Sequence, residues 1–255
     1  MLAVERRNKI EQIINKDGSV LVVELAKLFD VTTETIRADL EKLEKQGILV
    51  RTYGGATRAD NSEPELAITE RDTVNYEGKQ SIGRYAAGLI RDGETIFLDA
   101  STSAWHLARY IKDKRGITVI TNAEKIIDEL SDCDHIHVVC VGGQLTPRNM
   151  SFVGRVAEKT IRENYYANKC FFSCRGVSLG RGLVDSSEGE AEIKKAMLSC
   201  SESAVFLCDK NKIGRLGVPR ISELNEIDCL ITDAALTEEW TEELAKKDVK
   251  VVIVE

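Results

Sequence analysis

Five short polar runs lie directly behind apolar runs after residue 95, and each carries groups able to hold an anion or a polyol. Asp99-Ala100-Ser101-Thr102-Ser103 follows Ile96-Phe97-Leu98 and precedes a helical pattern. Hydroxyls and the N–H groups of a helix N-terminus suit a phosphate; an ordinary cap by Ser101 or Thr102 would use the same atoms. Thr121-Asn122 is a second such end, also readable as a cap. Gly142-Gly143 is a third, where backbone could approach a ligand closely or simply turn. Arg175 supplies a fork that binds oxyanions bidentately. Asp209 and Lys212 follow Val205-Phe206-Leu207-Cys208 and could grip a hydroxyl and a phosphate. Glu190 and Lys194 stand four apart on the helix between the strands that precede Arg175 and Asp209, a spacing that an exposed ion pair also adopts. A carboxylate that moves a proton beside a carbonyl would have to be Asp99, Asp209 or Glu190. His135-x-His137 puts two rings on one strand face with nothing to complete a metal site. Cys170-x-x-x-Cys174 lacks redox spacing, and His106 has no nucleophile motif to serve.

The positioning elements follow from periodicity. From Lys79 onward, helical patterns (79–90, 103–111, 123–130, 153–163, 188–199, 237–246) alternate with short apolar strands at 95–98, 117–121, 135–141, 170–173, 204–208, 229–232 and 249–254. Strands apolar on both faces belong to a parallel sheet covered by helices on both sides. In an open sheet of that kind, ligands sit at the carboxyl ends of the strands. The five polar ends therefore belong to one face of one layer.

Residues 1–57 have a different rhythm. Ile10, Ile13 and Ile14 stripe a helix over about 4–16, and Val23–Phe29 reads as a short second helix. A tight turn at Asp30-Val31-Thr32 leads to a third, Thr33 to about Gln46, with Ile36, Leu40 and Leu43 on its core side and Gly47 closing it. Ile48–Tyr53 alternates like a strand and turns at Gly54-Gly55. Three helices and a small hairpin make a winged helix-turn-helix. Residues 58–75 are polar, contain Pro64 and read as a linker with room for a short helix; residues 76–255 form the α/β domain.

Composition limits the function classes. The chain has 255 residues, 43% hydrophobic and 30% charged, with a net charge of −7, which excludes a disordered chain and a basic coat for nucleic acid. Residues 1–60 hold ten Lys and Arg against ten Asp and Glu, so all the negative excess lies in the second part. No run is apolar enough to span a membrane and no signal peptide opens the chain, so a cytoplasmic location is expected. Seven cysteines without a paired framework read as buried free thiols.

The combination of Val22-x-Glu24-Leu25-Ala26-Lys27, Thr35-Ile36-Arg37, Asp39-Leu40 and Gly54-Gly55-Ala56 resembles the DNA-binding domain of DeoR-type bacterial transcriptional repressors. The remainder resembles that family's sensor domain, related to phosphosugar isomerases, at Ile96–Ser103, Thr121-Asn122, Val141–Gly143, Phe152–Gly154, Glu190–Met197 and Asp209–Gly214. Here Ala38 replaces a frequent second Arg, Tyr53 a frequent His, and Asp99–Ser103 the usual D-x-G-T-T. The resemblance implies an α/β chain: a winged helix-turn-helix followed by a mostly parallel, helix-covered sensor domain. The implied function is a regulator, expected to repress a carbohydrate operon.

Expected partners are double-stranded operator DNA, a phosphorylated sugar effector, and a second copy in a homodimer or higher even-numbered oligomer. No cofactor or metal is implied. Thr33, Thr35, Arg37 and Lys42 lie off the apolar stripe of the third helix, where side chains read base edges. Arg51 and Tyr53 on the wing would follow the phosphates. Asp99, Ser101, Thr102, Ser103, Asn122, Gly142, Gly143, Arg175, Glu190, Lys194, Asp209 and Lys212 are the expected effector contacts. The alternatives are a protein-interaction module for the first domain and an isomerase-type enzyme for the second.

Overall fold

The computed structural model describes residues 2–46, 48–52, 54–58 and 66–255. Tyr53, Gly47 and Pro64, named above, lie outside the described residues. The head begins with helix α1 (Ala3–Asp17), strand β1 (Ser19–Leu21), helix α2 (Val22–Phe29) and helix α3 (Thr33–Lys45). Strands β2 (Leu49–Thr52) and β3 (Gly55–Arg58) complete a three-stranded antiparallel sheet in the order β1-β3-β2. Gly18 ends α1 in the left-handed region, and Asp30 ends α2 the same way at φ 51°, a conformation Asp tolerates better than most residues. Thr32 caps α3 by accepting the Thr35 amide. The stripe read from the sequence is the core: Ile10, Ile14, Ile36, Leu40 and Leu43 are buried with Val20, Leu25, Leu49 and Ala56. A Cβ on Gly55 would sit 2.1 Å from the Val20 carbonyl oxygen, so only glycine lets β3 pair with β1.

The larger domain opens with helices α4 (Ile68–Thr73) and α5 (Tyr76–Gly88), then alternates. Strand β4 (Thr95–Leu98), helix α6 (Thr102–Arg109), strand β5 (Thr118–Thr121), helix α7 (Glu124–Leu130) and strand β6 (His137–Cys140) run in that order. A hairpin, β7 (Gln144–Thr146) and β8 (Ser151–Val153), precedes helix α8 (Arg155–Asn164) and strand β9 (Lys169–Phe172). A second hairpin, β10 (Gly176–Ser178) and β11 (Gly182–Val184), precedes helix α9 (Glu188–Ser199) and strand β12 (Ala204–Cys208). Strands β13 (Arg220–Ser222) and β14 (Cys229–Thr232), helix α10 (Glu238–Lys246) and strand β15 (Lys250–Ile253) close the chain.

Seven strands form one sheet in the order β15-β14-β12-β9-β4-β5-β6, and every pairing in it is parallel. Alternate residues feed two cores. Ile96, Leu98 and Val119 pack with α5, α6 and α7 residues such as Ile82, Leu107 and Ile126. Phe97, Cys170, Phe172 and Phe206 pack on the other face with Ile161, Ile193, Met197 and Leu244. The antiparallel pieces β7–β8 and β10-β11-β13 are additions to the alternating pattern. They lie over the carboxyl end of the sheet through contacts described below. Among the described residues no helix is long and apolar enough to cross a membrane, and all seven cysteines are free, five of them buried.

Candidate functional site

Strand order decides where a ligand can sit. From β4 the chain proceeds through β5 to β6 on one side; from β9 it proceeds through β12 and β14 to β15 on the other. The β4–β9 pair is the switch point, and crevices open beyond the carboxyl ends of strands at such a point. A small polar cleft lies there, lined by Ser101 and Thr102 after β4, Ser173 to Arg175 after β9, and Lys212 after β12. Glu190 and Lys194 of α9, with Arg71, Asn149 and Asp185, also line it.

Lys194 organises the charges. Its Nζ lies 2.9 Å from Asp185 Oδ2, 3.4 Å from Asp99 Oδ2 and 3.8 Å from Glu190 Oε2, with all four side chains buried. Burial works against the ammonium, but Asp185, Asp99 and Glu190 hold its pKa above the ordinary lysine value, so it stays charged. Burial pushes the carboxyls of Asp99 and Glu190 up, against the pull of Lys194. Each is fixed by further bonds. Asp99 accepts from Ser101 Oγ at 2.6 Å and from the Ser173 amide at 3.3 Å. Glu190 accepts from Ser151 Oγ at 2.5 Å and from Asn149 Nδ2 at 3.0 Å. The Ser173 hydroxyl is buried at the cleft with no hydrogen bond among the described residues. A buried cluster of carboxylates around one ammonium can take hydroxyl groups by exchange of hydrogen bonds. The N-terminus of α6, flanked by Lys212, Arg175 and Arg71, is suited to an anion.

The expected residues divide by strand order. Ser101, Thr102, Arg175, Glu190, Lys194 and Lys212 line the cleft, and Asp99 lies behind them on Lys194. Ser101 is also the cap of α6, accepting the Ala104 amide at 3.1 Å, so both readings of that residue hold. Ser103 is buried one step deeper in α6. Asp209 is buried and accepts the Asn211 amide at 3.1 Å, shaping the turn that presents Lys212. Asn122, Gly142 and Gly143 are not among the lining residues. Asn122 follows β5, one strand beyond the switch point, and donates to the Phe152 carbonyl at 3.2 Å, tying β5 to β8. Gly142 and Gly143 follow the edge strand β6, and a Cβ on Gly143 would sit 2.7 Å from the Val153 carbonyl oxygen. Their task is the turn into β7.

The residues that sequence reasoning missed are Arg71, Asn149, Ser151 and Asp185, all from connections outside the alternating pattern. Arg71 comes from α4 and donates from Nη2 to Asn149 Oδ1 at 3.0 Å. Helix α4 is fastened to the larger domain at two points. The buried Lys79 ammonium donates to the carbonyls of Arg71 and Val74, and burial pulls its pKa down to about 8. Asp72 meets His106 Nε2 at 3.0 Å and Arg109 Nη2 at 3.4 Å. Burial and the neighbouring Arg109 cation hold His106 down to about 4, so it is neutral at pH 7. His106 thus serves packing, and His135 is engaged with the Lys112 carbonyl at 2.6 Å.

In the head, Arg37 projects from α3 with its side chain 63% exposed and only a loose contact to Glu34 at 3.8 Å. Lys42 is exposed on the same helix, Thr33 is half-buried, and Thr35 is half-buried at the Thr32 cap. Arg51 extends from β2 and pairs with Glu44 at 2.7 Å, which raises its pKa further. Asp39, inside the Arg37–Leu40 motif, faces inward. Its buried carboxylate meets Arg6 at 2.5 Å and Arg7 at 3.2 Å, locking α1 to α3. The arrangement leaves a helix N-terminal half and a wing free to meet a polyanion, held on a rigid base.

Comparison with known proteins agrees with both halves. Residues 6–62 match the DeoR-like helix-turn-helix domain and residues 74–234 the DeoR C terminal sensor domain. The chain is 41% identical over 254 residues to an uncharacterized HTH-type transcriptional regulator, YulB, of Bacillus subtilis (strain 168), covering 100% of this chain and 98% of that one. It is 32% identical over 252 residues to a putative aga operon transcriptional repressor of Escherichia coli O157:H7, covering 98% and 93%. Among solved structures, ribose 5-phosphate isomerase A of Methanocaldococcus jannaschii is similar at a TM-score of 0.40 and 16% identity over 55% of each chain. With a sensor domain matched over 161 residues and a helix-turn-helix domain in front of it, the chain belongs to the DeoR family of DNA-binding transcriptional regulators.

Proposed function

We propose that this regulator represses a carbohydrate-metabolism operon in the cytoplasm and that a phosphorylated sugar in the cleft sets its affinity for operator DNA. The observation that carries the reading is a cleft lined by both kinds of group. Its cations and the α6 N-terminus suit a phosphate, while Asp99, Asp185, Glu190 and Lys194 beside them suit a polyol. The E. coli relative named as a putative aga operon transcriptional repressor supports repression of an operon. The protein acts as a sensor without turnover. Of the carboxylates able to move a proton, Asp99 and Glu190 are tied to Lys194 and to fixed donors and Asp209 is buried on the Asn211 amide, which suits binding more than proton transfer.

Sequence reading by one head covers a short half-site, so the chain binds as a dimer or higher even-numbered oligomer. The experiment is a panel of phosphosugars and their unphosphorylated counterparts scored by thermal shift of the full chain and by turnover. Saturable stabilisation that requires the phosphate, weakened by Lys212→Ala and Thr102→Ala, supports the reading. Catalytic conversion of any member would replace it by the isomerase reading.

A further inference from the structure

One guanidinium of the sensor domain reaches into the head. Arg181, at the tip of the β10–β11 hairpin, donates from Nη1 to Ser19 Oγ and from Nη2 to the Ser19 carbonyl, both at 2.5 Å. Ser19 is buried and opens β1, an edge strand of the head sheet. Its carbonyl lies on a strand edge where a two-pronged donor replaces the missing neighbour. The Ser19 hydroxyl also reaches the Gly217 carbonyl at 3.5 Å. Among the described residues Arg181 has no carboxylate within 4.0 Å, so its fork is committed to Ser19.

Both contacts lead directly back to the cleft. The hairpin is rooted in Arg175, one residue before β10, and Asp185, one residue after β11, and both line the cleft. Three residue pairs (Gly176 with Val184, Val177 with Leu183, Ser178 with Gly182) separate root from tip, a ladder about 10 Å long. The second contact follows the same geography. Arg175 Nε donates to the Leu216 carbonyl at 3.0 Å, next to the Gly217 that meets Ser19. The Asp185 amide donates to the Pro219 carbonyl at 2.8 Å. The groups that would hold an anion and the Lys194 ion cluster are therefore one short, hydrogen-bonded lever away from the base of the head.

We infer that Arg181 is the positioning residue that couples the state of the cleft to the orientation of the DNA-binding head. The inference rests on the reading of the cleft as the effector site. A ligand that draws Arg175 away from Leu216, or Asp185 away from Lys194, moves the root of the hairpin and with it the fork on Ser19. Arg37 takes no part in the latch, so control acts on how the head is held and leaves the reading surface of α3 uncovered.

Hydrogen exchange of the Ser19–Leu21 amides in the full chain tests this without any ligand. Asp185→Asn removes the charge that anchors the hairpin root and should speed that exchange about tenfold, the effect of losing one charge-assisted bond. In an Arg181→Ala background the same change should alter exchange by less than about threefold, because only the longer Ser19–Gly217 contact still joins the hairpin root to β1. Arg175→Gln repeats the comparison from the other strand, should Asp185→Asn fail to fold. Arg181→Lys keeps the charge but loses the fork and should behave like the alanine variant. Equal acceleration with and without Arg181, or none from either root variant in the parent, overturns the coupling. Stabilisation of the full chain by inorganic phosphate, measured separately, reports on anion binding in the cleft. Its failure would count against the effector reading while leaving the exchange result to decide the coupling.

Discussion

Replacing Lys194 by methionine removes one charge and leaves the stem, which isolates the electrostatic role of the ammonium. At distances of 2.9, 3.4 and 3.8 Å from three carboxylates, each pair is worth about 4–6 kcal/mol at an effective dielectric of ~20. Most of this offsets the cost of taking four ions out of water. What the variant exposes is the penalty of buried carboxylates without their partner, about 3–5 kcal/mol. In a protein of this size each kcal/mol moves the melting temperature by about 2–4 °C, so a fall of roughly 6–20 °C is expected.

The pH dependence separates this cause from lost packing. Asp99 and Glu190 have folded-state pKa values above their ordinary ones. Their burial is therefore tolerated below about pH 4, and stability is lost as pH rises through the raised values, by up to ~1.4 kcal/mol per pH unit for each carboxyl. Without Lys194 those values rise further, so the deficit of Lys194→Met should be largest at pH 8 and clearly smaller at pH 5.5. Urea denaturation of parent and variant at the two pH values measures it. A deficit below about 1 kcal/mol, or the same deficit at both, would refute the assignment of Lys194 as the charge that holds the cluster.

Arg37→Ala should lose specific operator binding, by about 1–3 kcal/mol for one base contact, with no change in melting temperature; anisotropy at one fixed salt concentration reads it, and parental affinity would sink the assignment. Asp39→Asn should destabilise the head by ~3 kcal/mol because Arg6 is left buried with its charge unmatched; an early phase in thermal unfolding is the expected sign, and a melting curve like the parent's counts against it. His106, held down to about 4, lowers stability as pH falls from 6.5 toward 4, since the unfolded chain binds the proton first. His106→Gln should therefore narrow the difference in melting temperature between pH 7 and pH 4.5, and an unchanged difference would show that His106 does not titrate there.

The sequence displayed the helices and the parallel strands because each has a period long enough to count. Ile36, Leu40 and Leu43 define the inner face of α3 at spacings of four and three, and all three are buried. Strands such as β12 and β14 are apolar on both faces, as a covered sheet requires. The three-residue strands of the two hairpins carry no such signal, and Gln144-Leu145-Thr146 or Gly176-Val177-Ser178 looks like loop. Asn149 and Asp185 line the cleft from those hairpins and Ser151 bonds Glu190 behind it, so only the folded chain brings them to Glu190 and Lys194. Polar strand ends were visible, yet their order across the sheet was not. That is why Asn122 and the Gly142-Gly143 pair, beyond the switch point, turn out to serve β7 and β8. Asp39 was legible as part of a motif, but its inward direction depends on Arg6 and Arg7 arriving from α1.

The β4–β9 pairing at the centre of the large sheet also sets a timetable for assembly. Asp99 and Ser173, which meet there, are 74 residues apart in the chain, and Ser19 and Arg181 are 162 apart. The pairings within the head, by contrast, all close within its first 58 residues. Contacts between distant segments form slowly, and chains made from the N-terminus fold their early units first. On the ribosome, the head is complete while the central strands of the sensor still lack their partners. A nascent chain therefore carries a finished DNA-reading unit before the sheet that seats it exists, and truncation anywhere before β9 would release a head without its controller.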